Sequence, residues 1–206
     1  EDMRDPRPMA RLMQGDVGLG KTFVAMAAML MAVDSGSQAA LMAPTQILAA
    51  QHFLTFRKWL EPLGVRIALR TASRDERTHE GDDIKPQMVI GTHALIHGGG
   101  NLEDLGLVVI DEQHKFGVGQ RAALIGRGTA PDVLVMTATP IPRTLTMTLY
   151  GDLDVSVLDE KPPGRGEVVT AVRVSAKQSD VTAFVKGKLA EGRQAYWCPR
   201  QHGTRA

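Results

Sequence analysis

The sequence predicts an α/β fold: a doubly wound, mostly parallel sheet, followed by an incomplete second α/β lobe. Three observations carry that reading. Short aliphatic runs alternate with longer helical segments at strand–helix–strand spacing, the arrangement parallel crossovers require. The aliphatic runs lack apolar–polar alternation, so both faces of the sheet must be covered. A Lys-Pro-Pro-Gly-Arg-Gly segment at residues 161–166 breaks the composition, and residues 167–206 beyond it are too few for a complete domain.

In chain order, residues 11–14 predict a short strand running into a Gly-rich turn. Residues 22–33 follow as a helix that is apolar nearly all round and therefore expected to be buried. Residues 39–43 read as a core strand. Pro44 and Thr45 then open a helix over residues 46–60, with Ile47, Ala50, Phe53, Leu54 and Leu60 on its apolar face. A strand is predicted at residues 65–69. Residues 70–85 mix both charge signs densely, which predicts a solvated helix or loop rather than a binding patch. Strands follow at residues 87–90 and 105–110, with a flexible turn at residues 97–101 between them. A strand at residues 133–136 and a helix at residues 143–150 complete the first unit. Past the linker come a strand at 168–174, a helix at 177–190 and a strand at 194–198. The expected division is a first lobe at residues 1–160, a linker at 161–166 and the start of a second lobe at 167–206. In an open sheet of this kind a ligand belongs in the crevice at the carboxyl ends of the strands.

Composition narrows the function classes. Lys and Arg total 24 against 23 Asp and Glu, a net charge of +1, so any nucleic-acid surface must be a local patch. A single cysteine excludes an internal disulfide framework and a Cys-cluster zinc site. Aromatic residues are 4% of the chain, too few for a broad base-stacking platform. The longest apolar run, residues 23–33, is far shorter than the roughly 20 residues of a spanning helix, so no membrane partner is expected. The charged, proline-containing stretch at residues 1–8 is not a signal peptide, and the chain opens on Glu1 instead of Met, as a piece of a longer protein or a processed start would.

The most specific signal is Gly15-Asp16-Val17-Gly18-Leu19-Gly20-Lys21-Thr22, a full match to G-x-x-x-x-G-K-[ST] between a predicted strand and a predicted helix. Its glycines let backbone N–H groups converge on phosphate oxygens, and the helix N-terminus adds a favourable dipole. Lys21 is placed to reach the β/γ-phosphates of a bound nucleotide and the Thr22 hydroxyl to take a position on Mg²⁺. A second signal lies at the end of the aliphatic strand 107–110, where Asp111 and Glu112 follow directly. A strand-terminal acid is where a P-loop protein holds Mg²⁺, which gives Asp111 that role through water and Glu112 the polarisation of the attacking water. Adjacent acids alone are often just solvated; the P-loop upstream is what favours the catalytic reading.

Asp111-Glu112-Gln113-His114 after an aliphatic strand resembles motif II of the superfamily 2 helicases, with the P-loop as their motif I. Ala43-Pro44-Thr45 is similar to the start of their motif Ia and Thr137-Ala138-Thr139 to motif III. Residues 12–22, Gly91-Thr92-His93-Ala94-Leu95, VIDEQHKFGVGQR at 109–121, TATPIPRTL at 137–145 and GRQAYW at 192–197 resemble the RecG-type DNA helicases, the branch-migration and fork-reversal enzymes of bacteria. Together these segments cover most of residues 11–197. The transcription-repair coupling factors carry similar signatures, but a different motif II is expected there.

The resemblance implies a RecA-like P-loop NTPase lobe belonging to an ATP-dependent helicase or translocase that acts on branched DNA, fork or Holliday-type, in the bacterial cytoplasm, with ATP and Mg²⁺ as cofactors and a monomeric state favoured. It implies that Gln113, His114, Thr137, Ala138 and Thr139 couple hydrolysis to the DNA side. Pro44, Thr45, Gly91, Thr92 and His93 are implied to lie along the DNA strand. Arg121 and Arg143 are candidates for further phosphate or interdomain contacts, though each alone reads rather as a surface or salt-bridged arginine. The chain departs from the family at Leu19, where a small residue is usual, and at Gln46, where an acid is expected. Thr71-Ala72-Ser73 stands for a Thr-Gly-Ser signature in a shortened segment. A wedge-type DNA-binding domain, the adenine-recognition motif and the remainder of lobe 2 with its arginine finger fall outside the sequence. The polar tail after Trp197 reads as a truncated or frame-shifted end. This stretch by itself is accordingly expected to bind ATP weakly and hydrolyse it poorly, and a non-catalytic nucleotide-binding fragment is the competing reading. A P-loop kinase is disfavoured, because no acceptor lid is identifiable and residues 137–139 would go unexplained.

Overall fold

The computed structural model describes residues 2–5, 7–79, 85–92, 95, 102, 104–111, 131–139, 153–159, 166 and 168–198. The chain divides into a unit at residues 1–163 and a second at residues 164–206.

The first unit is built on one eight-stranded sheet. Its elements are β1 (Ala10–Gly15), α1 (Lys21–Asp34), β2 (Gln38–Met42), α2 (Gln46–Leu60), β3 (Ile67–Arg70), β4 (Asp75–Arg77), β5 (Met88–Gly91), β6 (Leu105–Asp111), β7 (Asp132–Thr137) and β8 (Asp154–Leu158). The spatial order is β4-β3-β5-β2-β6-β7-β1-β8. All pairings are parallel except that of β3 with β4. The aliphatic runs of β2, β5 and β6 are buried on both faces, as their lack of alternation predicts. On one face α1 and α2 lie over Ala39, Leu41, Leu69, Ile90, Leu107, Val109 and Met136. On the other, Ala40, Met42, Ala68, Val89, Val108 and Ile110 form a second cluster with Leu95 and Leu102.

The helices bury less of their apolar surface than their sequences predict. In α1 only Ala25, Met29, Ala32 and Val33 are buried, while Phe23, Val24 and Met31 are about half exposed, so the expectation of a helix buried all round is corrected. A helix lying on a sheet presents a single stripe to it, whatever the character of its other sides. Phe23 instead meets Trp59 of α2 edge to face, with ring centroids 6.0 Å apart. In α2 the buried stripe is Ala49, His52, Phe53, Phe56 and Leu60, spaced at three and four residues. Ile47 and Leu54, predicted for that stripe, fall off it and are 81% and 62% exposed.

Residues 70–85 are also corrected. Within them β4 adds an antiparallel edge strand to β3 after a turn in which Thr71 N–H donates to the Arg74 carbonyl at 2.8 Å. The dense charges stay at the surface as expected, where Glu76 meets Arg74 of its own segment at 2.5 Å and Arg57 of α2 at 3.8 Å. The opposite edge strand, β8, was not predicted. It is short, its Val155 and Val157 are exposed, and it is placed by parallel pairing with β1. The Arg11 guanidinium fixes it further, donating to Ser156 Oγ at 2.8 Å and meeting Asp2 at 2.5 Å.

In the second unit a turn of 3-10 helix (Ser175–Lys177) leads into α3 (Gln178–Ala190). No described residue of this unit is buried. The strands predicted at residues 168–174 and 194–198 are not formed among the described residues, because a strand needs a hydrogen-bonded neighbour and none is present there. The predicted turn at 97–101 (which includes the His97 glycine run), the helix at 143–150, linker residues 161–165 and the tail after Cys198 lie outside the described residues. Among the described residues no helix is long and apolar enough to cross a membrane.

Candidate nucleotide site

The parallel registers bring the predicted site residues to one end of the sheet. In β7, Met136 pairs with Asp111 of β6, and Thr137 pairs with Gln14 of β1. The P-loop leaves β1 one residue after Gln14. Asp111 therefore stands two strands from the loop, about 10 Å at ordinary strand spacing, with Thr137 between them.

The loop from Gly15 to Thr22 has the backbone its glycines predict. Gly18 and Gly20 have φ of 89° and 82°, a region closed to most side chains. Gly15 is constrained differently: a Cβ there would stand 2.8 Å from the Cβ of Leu158 in β8. Leu19 turns inward, its Cδ1 lying 3.3 Å from that same position, so its unusual bulk fills the end of β1. The Lys21 ammonium folds over the loop and donates to the Gly15 carbonyl at 2.5 Å and the Asp16 carbonyl at 2.9 Å. Asp16 Oδ1 accepts from the Val17 N–H at 2.7 Å. At the start of α1, Gly20 provides no side-chain cap and the first turn holds no acid, so the positive end of the helix dipole is not neutralised locally.

Asp111 does not face the loop alone. Its Oδ2 lies 2.7 Å from Nε2 of His52, a residue of the buried stripe of α2. Sequence reasoning missed His52. The signal was available as a lone imidazole on the i, i+4, i+8 face that carries Phe56 and Leu60. Thr137 is buried, and its Oγ1 lies 2.9 Å from Thr139 Oγ1 and accepts from the Thr139 N–H at 3.2 Å. Ala138 sits within this hydroxyl-closed turn.

A second group of predicted residues gathers further along the same sheet edge. Ala43 N–H donates to the Gly91 carbonyl at 2.8 Å, which ties the Pro44–Thr45 turn to the end of β5. Thr45 caps α2, its Oγ1 accepting from Leu48 N–H at 3.3 Å. Gln46 takes over a structural link: its Oε1 accepts from Ser73 Oγ at 2.6 Å, joining α2 to the turn before β4. Thr45 is exposed, whereas the Thr92 side chain is buried and its hydroxyl has no partner among the described residues. Glu112, Gln113, His114, His93, Arg121 and Arg143 lie outside the described residues.

The donor set fits a nucleoside triphosphate with a hard divalent cation. Backbone N–H groups, an ammonium and an uncapped helix N-terminus suit phosphate. One carboxylate with one hydroxyl suits magnesium, which keeps waters and shares substrate phosphates rather than requiring an all-protein cage.

The family model for DEAD/DEAH box helicases matches residues 7–148. The chain belongs to the DEAD/DEAH box helicase family. Within this helicase family it is 48% identical over 204 residues to the ATP-dependent DNA helicase RecG of Acidithiobacillus ferridurans, a match covering 96% of this chain and 30% of the relative. It is 48% identical over 203 residues to RecG of Synechocystis, covering 95% of this chain and 24% of that protein. A solved structure of RecG bound to a three-way DNA junction superposes with a TM-score of 0.74 at 39% identity, covering 93% of this chain and 26% of that one. The helicase sheet described above is thus that of a RecA-like lobe, and the chain spans less than a third of the length of these relatives.

Proposed function

We propose that residues 1–160 are the first, ATP-binding motor lobe of an ATP-dependent DNA helicase or translocase that acts on branched DNA in recombination and repair. Residues 161–166 are its interlobe linker and residues 167–206 the beginning of the second lobe. The observation that carries this is the convergence of the P-loop, Asp111 and Thr137 on adjoining strand ends in a chain so similar to RecG. The setting of the whole protein is the bacterial cytoplasm, and its partner is forked or Holliday-type DNA, a reading that the solved structure of RecG bound to a three-way DNA junction supports.

In this reading the backbone of residues 15–22 cradles the phosphates of ATP. The Lys21 ammonium leaves the Gly15 and Asp16 carbonyls to meet the β/γ-phosphates. Thr22 and Asp111 hold Mg²⁺, which when bound neutralises charge on the transferred phosphoryl group. Glu112 orients and polarises the attacking water. Gln113 and His114, with the Thr137–Ala138–Thr139 turn, relay the state of the site toward the DNA. Pro44, Thr45, Gly91, Thr92 and His93 track the DNA strand through hydroxyls and loop amides, contacts that position without reading sequence.

The test is nucleotide binding and junction-stimulated ATPase in the full-length protein. Lys21→Ala is expected to abolish nucleotide binding, and Glu112→Gln to preserve binding while stopping hydrolysis. Unchanged ATPase in both variants would refute these roles.

A further inference from the structure

The hydrogen bond between His52 and Asp111 joins two rigid elements. Asp111 ends β6, which is hydrogen-bonded on both sides, Ile110 pairing with Met42 and Asp111 with Met136. His52 is on the second turn of α2, between the Thr45 cap and the fully buried Phe53 and Phe56. Both side chains are nearly buried, at 11% and 13% exposure. The rest of the α2 stripe is apolar, and an apolar residue of similar volume would ordinarily pack there at no loss of stability. An ionised carboxylate can only accept, so against it Nε2 is the donor. That bond occupies Oδ2 and fixes the rotation of the carboxylate, leaving Oδ1 as its other ligand atom.

We infer that His52 is a positioning residue for the metal site: its Nε2–H orients the Asp111 carboxylate so that it meets Mg²⁺ or its coordinated water. The inference rests on the metal-binding role proposed for Asp111. Carboxylate ligands are commonly oriented by such outer hydrogen bonds, whose removal weakens metal affinity by roughly 10- to 100-fold. Like a designed site, this one gains its accuracy from a supporting group on a packed helix rather than on a loop.

The experiment compares the Kd of fluorescent AMP-PNP in Mg²⁺ and in EDTA, using the full-length protein. For wild type, Mg²⁺ is expected to tighten binding, and Asp111→Asn to erase that gain. His52→Ala should lose about tenfold or more of the Mg²⁺ gain while leaving the EDTA value unchanged. His52→Leu, which refills the helix face and preserves the fold, should lose as much. His52→Gln, whose amide nitrogen can occupy the place of Nε2, should recover most of the gain. A purely structural role would shift the Mg²⁺ and EDTA affinities together and would be satisfied by Leu. A Mg²⁺ gain equal to wild type in folded His52→Leu overturns the inference alone. Failure of wild type to bind nucleotide, or equal Mg²⁺ gains in wild type and Asp111→Asn, overturns the underlying site assignment and the inference with it.

Discussion

Replacing Gly91 by alanine tests how tightly the far half of the sheet is closed. Gly91 ends β5 between Met42 of β2 and Arg70 of β3. A Cβ there would stand 2.0 Å from the Arg70 carbonyl oxygen and 2.9 Å from Leu95 Cγ. Non-bonded heavy atoms rest at about 3.5–4.0 Å, so the carbonyl would have to withdraw by more than ~1 Å. That oxygen accepts from the Thr92 N–H at 3.3 Å, and the withdrawal would break the bond. Losing one such bond costs about 1 kcal/mol. Overpacking of the core adds about 1–3 kcal/mol. The expected destabilisation is thus about 2–4 kcal/mol, a large share of the roughly 5–15 kcal/mol that holds a domain together. Urea unfolding followed by far-ultraviolet circular dichroism reads it directly. With a slope of about 2 kcal/mol per molar, the midpoint should fall by about 1–2 M at unchanged slope. A shift under about 0.3 M would mean that β3 and β5 can part at little cost, which would refute the reasoning.

Two further substitutions probe α2. Phe56→Ala should cost about 3–5 kcal/mol in the same denaturation measurement, whereas Leu54→Ala, on the solvent side of the same helix, should stay within about 0.5 kcal/mol. Comparable losses at the two positions would contradict the observed helix face. Thr45→Ala should lose about 1 kcal/mol with its N-cap hydrogen bond and Thr45→Ser should recover it, so an unaltered melting profile in the alanine variant would show that the cap is dispensable.

Much of the candidate site was legible from local sequence. The P-loop is a contiguous motif whose glycines, lysine and threonine must be neighbours for backbone and side chain to meet one phosphate, so its spacing survives in the linear chain. Asp111 was legible because a strand-terminal acid after an aliphatic run is also a local pattern. His52 was not, because its meaning depends on a residue in another strand. A histidine on a helix face is silent until the fold sets a carboxylate 2.7 Å away. For β8 the alternation of Val155 and Val157 with Asp154 and Ser156 was a short local strand signal, but its place beside β1 comes only from pairing. The exposure of Ile47 and Leu54 likewise follows from how α2 is rotated on the sheet, which apolar composition alone cannot set.

By itself the sequence determined the α/β class, the order of most elements in the first unit, the phosphate-binding loop and the family resemblance, all of which rest on patterns within a few residues or on motif order. Only the tertiary structure decided the strand order, and with it which strand ends adjoin. Parallel strands far apart in the chain become neighbours through long-range hydrogen bonding, and that register alone puts Thr137 between the P-loop and Asp111. It also decided that residues 75–77 form a strand while residues 168–174 do not. The charged segment has β3 to pair with and the valine-rich one has no partner among the described residues, because a strand is stabilised by its neighbours and not by its own composition.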